Sequence, residues 1–344
     1  MIFISRLTKT GKKVESGNPG GQKIEIVETI RGFAALAVCL FHFTKTNISF
    51  SGSSQYFKSV FTWGWVGVEA FFVLSGFIIV YSLVKSKYTL NRFFKFFAKR
   101  CARIEPPYLI SVLLVIVLSY LSVNAPGYKG AEFKVSVGQV LSHIAYLPEH
   151  LGYKWLQPVY WSLEAEFHYY ILIGLFLPFL WKNLYTLIGG FLIGLTLSYF
   201  IPLYVFSYMP LFVMGISTAA YKLDKISRPL YLSILLLSVA VSLSRGQHVV
   251  MSLTGLATAL AIVWVRFNNG ITEFLGKISF SLYLMHVPIG GRVLNYAGRY
   301  ANEDWKVWLS ILVALAVTIF ASWVFYRLVE YPSLLLGKKI KYKD

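Results

Sequence analysis

Long unbroken apolar runs, separated by short clusters of lysine, arginine, glycine and proline, set the rhythm of this chain. A helix crossing a bilayer needs about 20 consecutive apolar residues at about 1.5 Å rise each. Runs of that order lie at 27–45, 60–84, 105–123, 162–181, 184–205, 207–221, 229–244, 248–266, 274–293 and 307–329, with 207–221 and 229–244 the shortest. The pattern predicts an all-α, polytopic membrane helical bundle of about ten transmembrane helices. The one long connection, 124–161, contains a stretch at 135–147 that reads as an amphipathic helix on the membrane surface. Residues 1–26 are polar and basic, broken at Asn18-Pro19-Gly20-Gly21, and lack the apolar core and cleavage site of a signal peptide. The expected organisation is a basic cytoplasmic tail over 1–26, a membrane domain over 27–335 and a second basic cytoplasmic tail over 336–344.

Composition agrees with burial in lipid. Of the 344 residues 56% are hydrophobic and 14% charged, against about 25% charged in soluble proteins. The formal net charge of +18 suggests nucleic acid until the charges are placed. With the N-terminus inside, 24 lysines and arginines fall on inner segments and nine on outer ones. That bias is the positive-inside signature, and an even number of spans puts the lysine-rich C-terminus inside as well. The charge therefore reports topology and attraction to anionic headgroups, not a nucleic-acid partner. Two cysteines, Cys39 and Cys101, cannot form a disulfide framework, and the six histidines show no metal-ligand spacing, so no metal is expected.

Ionisable groups inside spans are costly, which makes each a functional candidate. In the first span Arg31 and His42 are 11 positions apart, close to three full turns and about 16 Å of rise. They share a face, the arginine near the inner surface and the histidine near mid-membrane; an anchoring arginine and a packing histidine would look the same. Glu69, in the second span, reads either as a buried partner for a cation or as a group at the outer water boundary. Ser75 lacks a nucleophile-elbow context. Arg100 and Arg103, three apart on one helical face before Pro106-Pro107, suggest a phosphate clamp beside a helix N-terminus, or a basic stop-transfer loop. Ser162 and Glu164 read as the cap and first-turn carboxylate of a helix start, leaving Glu166 and His168 as the deeper polar pair. Ser279, Tyr283 and His286 form a polar stripe on an apolar helix, which interhelical hydrogen bonding would also explain. His143, Glu149 and His150 read as solvated, and Glu330-Pro332 as a structural stop.

Taken in order, these blocks resemble the acyltransferase-3 family of bacterial integral-membrane acyltransferases, over roughly residues 25–335. Arg31 and His42 match its R-x10-H motif; Phe71 to Phe77 read F-F-V-L-S-G-F; Arg100 to Tyr108 are similar to R-x-x-R-I-x-P-x-Y. Trp161 to Tyr170 resemble W-S-L-x-x-E-x-x-F-Y, which selects Glu166 over Glu164, Leu275 to His286 resemble L-G-x-x-S-Y-x-L-Y-L-x-H, and Glu330-x-Pro332 matches E-x-P. Departures are Phe280 for a frequent tyrosine, Met285 for a frequent tryptophan, and Cys101-Ala102 in the basic segment. The resemblance implies a multi-pass protein of the bacterial cytoplasmic membrane that moves an acyl group, most often acetyl, from acyl-CoA to a hydroxyl of a surface polysaccharide or lipid-linked sugar, with no tightly bound cofactor. Catalysis would fall to His42 as general base with Arg31 and Glu166, donor binding to Arg100 and Arg103, and substrate contacts to Ser279, Tyr283 and His286. A secondary transporter or lipid flippase with a His/Glu proton relay is the alternative, against which stands the lack of internal repeats.

Overall fold

The computed structural model describes residues 24–45, 59–125, 132–301 and 303–340, so the N-terminal basic tail lies almost wholly outside the described residues, as do 341–344 of the C-terminal one. Everything regular in it is helical: α1 Glu25–Lys45, α2 Gly67–Lys85, α3 Phe93–Val123, α4 Val137–Ile144, α5 Trp161–Leu180, α6 Leu184–Phe200, α7 Met209–Lys222, α8 Arg228–Ser244 and α9 Val249–Trp264. There follow α10 Gly270–Lys277, α11 Ser279–Met285, α12 Gly291–Ala297, α13 Asp304–Phe325 and α14 Tyr331–Lys339. Five stretches are long and apolar enough to cross a membrane: Ile26–Lys45, Gly64–Lys85, Leu90–Val123, Trp161–Leu180 and Asp304–Lys339. Three shorter apolar helices, α6, α8 and α9, accompany them. The protein is an all-α, polytopic membrane helical bundle.

Polarity runs opposite to that of a water-soluble fold. Helix α13 turns Leu309, Leu312, Val313 and Phe320 outward and buries Ser310, Ala314, Thr318 and Ser322. Small and hydroxylated residues let helices approach in lipid, and large apolar ones face the acyl chains. The buried hydroxyls of Ser310, Thr318 and Ser322 are satisfied by carbonyls one turn back, at 2.6–2.7 Å.

The centre is α7, which is buried from Met209 to Ala220, as a helix apolar on every side should be. Its most extensive partner among the described residues is α2. Gly76 and Gly215 make the crossing: a Cβ on Gly215 would lie 2.2 Å from the Val73 carbonyl oxygen, and one on Gly76 would lie 2.6 Å from that of Phe212. Helix α1 packs on α2, α10 and α11, and α14 returns against α3.

Two expected helix ends are displaced. The third predicted span starts at 105, yet α3 begins at Phe93 and runs through Pro106 and Pro107 without a break. Arg100 and Arg103 therefore lie within a helix, not in a loop beside an N-terminus. The prolines cannot donate to the carbonyls of Ala102 and Arg103, a loss tolerable where neighbouring helices re-satisfy the backbone. Nor does Glu330-Pro332 stop the last helix. A π-turn at Tyr326–Glu330 carries α13 into α14, with Pro332 in its first turn, where a missing N–H costs nothing.

The connection before α5 holds the expected amphipathic helix, α4, in an inverted sense. Val137, Leu141 and Ile144 face outward, whereas Ser142 and His143 are buried.

Candidate active site

Two cavities meet inside the bundle. The inner one, about 110 Å³, is bounded by α2, α3, α5 and α11, and its polar lining includes Arg31, Ser75, Arg100, Arg103, Glu166 and Tyr283. The outer one, about 870 Å³, opens among Lys85, Lys277, Glu28 and Glu330. Arg31, Ile78 and Arg103 line both, so they form the neck between the two. Arg31, Lys85, Arg103 and Lys277 outnumber the two carboxylates of the wide cavity, a balance that favours anions over cations there.

Several polar groups of the inner cavity are fixed by neighbouring side chains. The Arg31 Nε donates to Ser279 Oγ at 3.2 Å, so the arginine is a cavity residue and more than a surface anchor. Glu166 Oε1 accepts from Ser75 Oγ at 2.6 Å and from the Tyr170 hydroxyl. Arg100 lies over the rings of Phe96 and Tyr170, 5.6 and 5.8 Å from their centroids, an arrangement that fixes a guanidinium without neutralising it. The Tyr283 hydroxyl donates to the Val159 carbonyl at 2.8 Å and lies 2.6 Å from Ser162 Oγ. Phe280, the departure from the tyrosine frequent in the resembled motif, lines the inner cavity as well.

The first-span histidine is placed beside this cavity, not on it. His42 lines neither of the two cavities. Its ring lies 5.1 Å, centroid to centroid, from His286, which is 5.9 Å from Tyr283; Tyr283 is in turn 6.1 Å from Phe71. Phe71 and Tyr283 are cavity wall. The imidazole pair thus stands behind the aromatic end of the pocket, with Arg31 at the other end. Of the expected site residues, Arg31, Arg100, Arg103, Glu166 and Tyr283 share one cavity, Ser279 is bonded to it, and His42 and His286 adjoin it.

Several residues read as unremarkable turn out otherwise. Glu164 does lie in the first turn of α5, as expected, but it is more than a helix-start carboxylate: its side chain is 0% exposed, with Oε1 2.9 Å from His150 Nε2 and 3.9 Å from His168 Nδ1. The first residue of α5 is Trp161, and Ser162 serves the Tyr283 contact instead of capping. Glu149 is exposed, as expected, and also accepts from the Tyr204 hydroxyl at 2.5 Å. His143 is fully buried: Nδ1 donates to the Gln139 carbonyl at 2.8 Å, and Nε2 accepts from the Leu156 amide at 3.0 Å. Burial holds the His143 pKa below the usual histidine value. Of the two readings for Glu69, burial is the one observed, at 2% exposure, with no cation paired to it among the described residues. Glu330 Oε2 accepts from the amide and hydroxyl of Ser281 at 3.1 and 2.5 Å, tethering α11 to the π-turn.

Sequence reasoning did not include Ser75, Tyr170, Lys85 or Lys277 among the site residues. Tyr170 was within reach, one turn beyond Glu166 on the same face; Ser75 is a cross-helix contact with no sequence spacing to announce it. Among the described residues no group of three or more His, Cys, Asp or Glu side chains could hold a metal.

Residues 24–327 match the acyltransferase domain of the acyltransferase-3 family, and the chain belongs to that family. Among relatives, Acyltransferase MdmB of Streptomyces mycarofaciens is 25% identical over 90% of this chain and 92% of its own length. The O-acetyltransferase OatA of Staphylococcus aureus is 22% identical over 89% of this chain, which spans 56% of that protein. No solved structure matches.

Proposed function

We propose that this member of the acyltransferase-3 family is an O-acyltransferase of the bacterial cytoplasmic membrane, which takes an acyl group, acetyl by preference, from acyl-CoA and places it on a hydroxyl of a surface polysaccharide or lipid-linked sugar. The carrying observation is the pair of joined cavities: a wide basic mouth narrowing at Arg31 and Arg103 to a small pocket whose far wall backs onto His42 and His286. A donor with several phosphates at one end, an apolar arm and a thioester at the other fits that shape. The names of the relatives, an acyltransferase and an O-acetyltransferase, agree. Ten membrane crossings with both termini in the cytoplasm complete the reading, and they set the basic mouth on the cytoplasmic side.

In this mechanism Lys85, Lys277 and Arg103 bind the phosphates at the mouth, Arg31 orients the donor at the neck, and Arg100 faces the part of the donor that enters the inner cavity. His42 removes the proton of the acceptor hydroxyl as its oxygen bonds to the acyl carbon. The carbon–sulfur bond then breaks, and the imidazolium returns that proton to the thiolate, a good leaving group with a thiol pKa of about 8.5. Glu166, holding Ser75 and Tyr170, shapes the pocket that receives the acceptor.

The test is donor dependence. Membranes carrying the wild-type protein are expected to release free thiol from acetyl-CoA and to gain O-acetyl groups together. His42→Ala is expected to abolish both while the protein still inserts and accumulates. Unimpaired acetylation in that variant would end the base assignment, and solute movement without thiol release would return the protein to the carriers.

A further inference from the structure

The His286 ring has an asymmetric environment. Its Nδ1 lies 3.1 Å from the Leu282 carbonyl oxygen, one turn back on the same helix. A carbonyl only accepts, so Nδ1 carries the proton and Nε2 is left with its lone pair. That Nε2 is buried without a hydrogen-bond partner, on a side chain that is 0% exposed. Buried acceptors are ordinarily filled, and an unfilled one in a native fold asks for an explanation. The backbone is unusual at the same place: His286 opens the π-turn His286–Gly290, which contains Pro288. Single π-turns inserted in α-helices occur often at functional sites. The ring next to the unfilled nitrogen's side chain is His42, at 5.1 Å between centroids and 48° between planes.

We infer that His286 is a positioning residue for His42. The inference rests on the proposed function, with His42 as the base, and adds to it how that base is set. The torsion that spins an imidazole about its long axis is broad and roughly two-fold, so the ring can exchange its resting contacts for others. Turned so that one N–H points at His286 Nε2, His42 presents its other nitrogen, unprotonated, to the acceptor hydroxyl. The chain of bonds is hydroxyl to His42, His42 N–H to His286 Nε2, and His286 Nδ1–H to the Leu282 carbonyl. When His42 takes the hydroxyl proton it becomes an imidazolium that keeps its bond to a neutral acceptor. The proton then leaves for the thiolate sulfur, and His286 ends the cycle as it began. The unfilled nitrogen is explained by the partner it receives during turnover.

Two substitutions separate this role from packing. In His286→Asn the amide nitrogen replaces Nδ1 as donor to Leu282, but nothing replaces Nε2. In His286→Gln the amide oxygen reaches the position of Nε2. With purified protein in liposomes, acetyl-CoA as donor and a membrane fraction as acceptor, His286→Asn is expected to lower kcat about 100-fold. The KM for acetyl-CoA should stay within about twofold of wild type. His286→Gln is expected to recover at least about tenfold over His286→Asn. Should the asparagine variant fail to fold, glutamine against His286→Phe supplies the same contrast, the phenylalanine variant being inactive. Equal activity in the two arms, or a loss confined to KM, would overturn the inference. The His42→Ala control separates the levels: an active His42→Ala sinks the underlying reading, whereas an inactive one with equal His286 arms sinks the positioning role alone.

Discussion

Glu166, Arg31 and Tyr283 are each tied to a residue on a different helix: Ser75, Ser279 and Ser162 respectively. Serine recurs because a hydroxyl is small enough to sit between close helices and can serve as donor or acceptor. Glu166→Gln keeps the shape but turns two charge-assisted bonds into neutral ones, each weaker by about 1 kcal/mol. It is expected to raise the acceptor KM about tenfold with little change in expression, measured by varying acceptor at saturating acetyl-CoA; unaltered acceptor kinetics would remove Glu166 from the pocket. At the mouth, Lys85→Ala combined with Lys277→Ala should raise the KM for acetyl-CoA and leave kcat near wild type, the mark of ground-state binding. Motif order in the sequence pointed to Arg31, Arg100, Arg103, Glu166 and Tyr283 because each falls on a recognisable block. Ser75 to Glu166 and His150 to Glu164 could not be read so, because neither partner's spacing reveals that two separate segments meet.

Helices were legible wherever an apolar run was long, as in α1, α2, α5 and α13, and their ends were not. Pro106 and Pro107 are ordinary helix breakers in water, yet here neighbouring helices hold the chain in line through both, whereas Pro332 falls in the first turn of α14. The crossing of α2 on α7 is sensitive to side-chain size. Gly215→Ala puts a Cβ against the Val73 carbonyl, and forced backbone shifts of that kind cost about 1–3 kcal/mol. A lower melting temperature in detergent is expected, and an unchanged one would mean that the two helices are free to part. The outer connection is sensitive to pH instead. His143 is neutral in the fold, with Nε2 accepting from Leu156, and its pKa is held below the unfolded value by burial. Its contribution is therefore complete above about pH 6.5 and is lost as pH falls below that towards the depressed value. Proteolysis of the 132–160 segment should accelerate between pH 7.5 and pH 5.5, and His143→Gln should flatten that dependence; equal rates at both pH values in the wild type would rule the histidine out.

At the scale of the whole molecule, the proposed topology, which assigns 24 basic residues to inner segments and nine to outer ones, would put the basic mouth of the wide cavity on the cytoplasmic side. A donor made in the cytoplasm would meet Lys85, Lys277 and Arg103 first, then Arg31 at the neck, and would bring its thioester towards the pair His42 and His286. The overall architecture was legible in composition and hydropathy, since lipid imposes long apolar helices. The joined cavities were not, because they arise from how α2, α3, α5 and α11 lean on one another. The most direct measurement is a cryo-EM map of the protein bound to a non-hydrolysable acetyl-CoA analogue in which methylene replaces the thioester sulfur. The account predicts phosphate density within hydrogen-bonding reach of Lys85, Lys277 and Arg103, with the acetyl carbonyl at the Phe71 and Tyr283 wall beside His42. Analogue bound outside these cavities, or with its carbonyl held away from His42 by an intact aromatic wall, would contradict it.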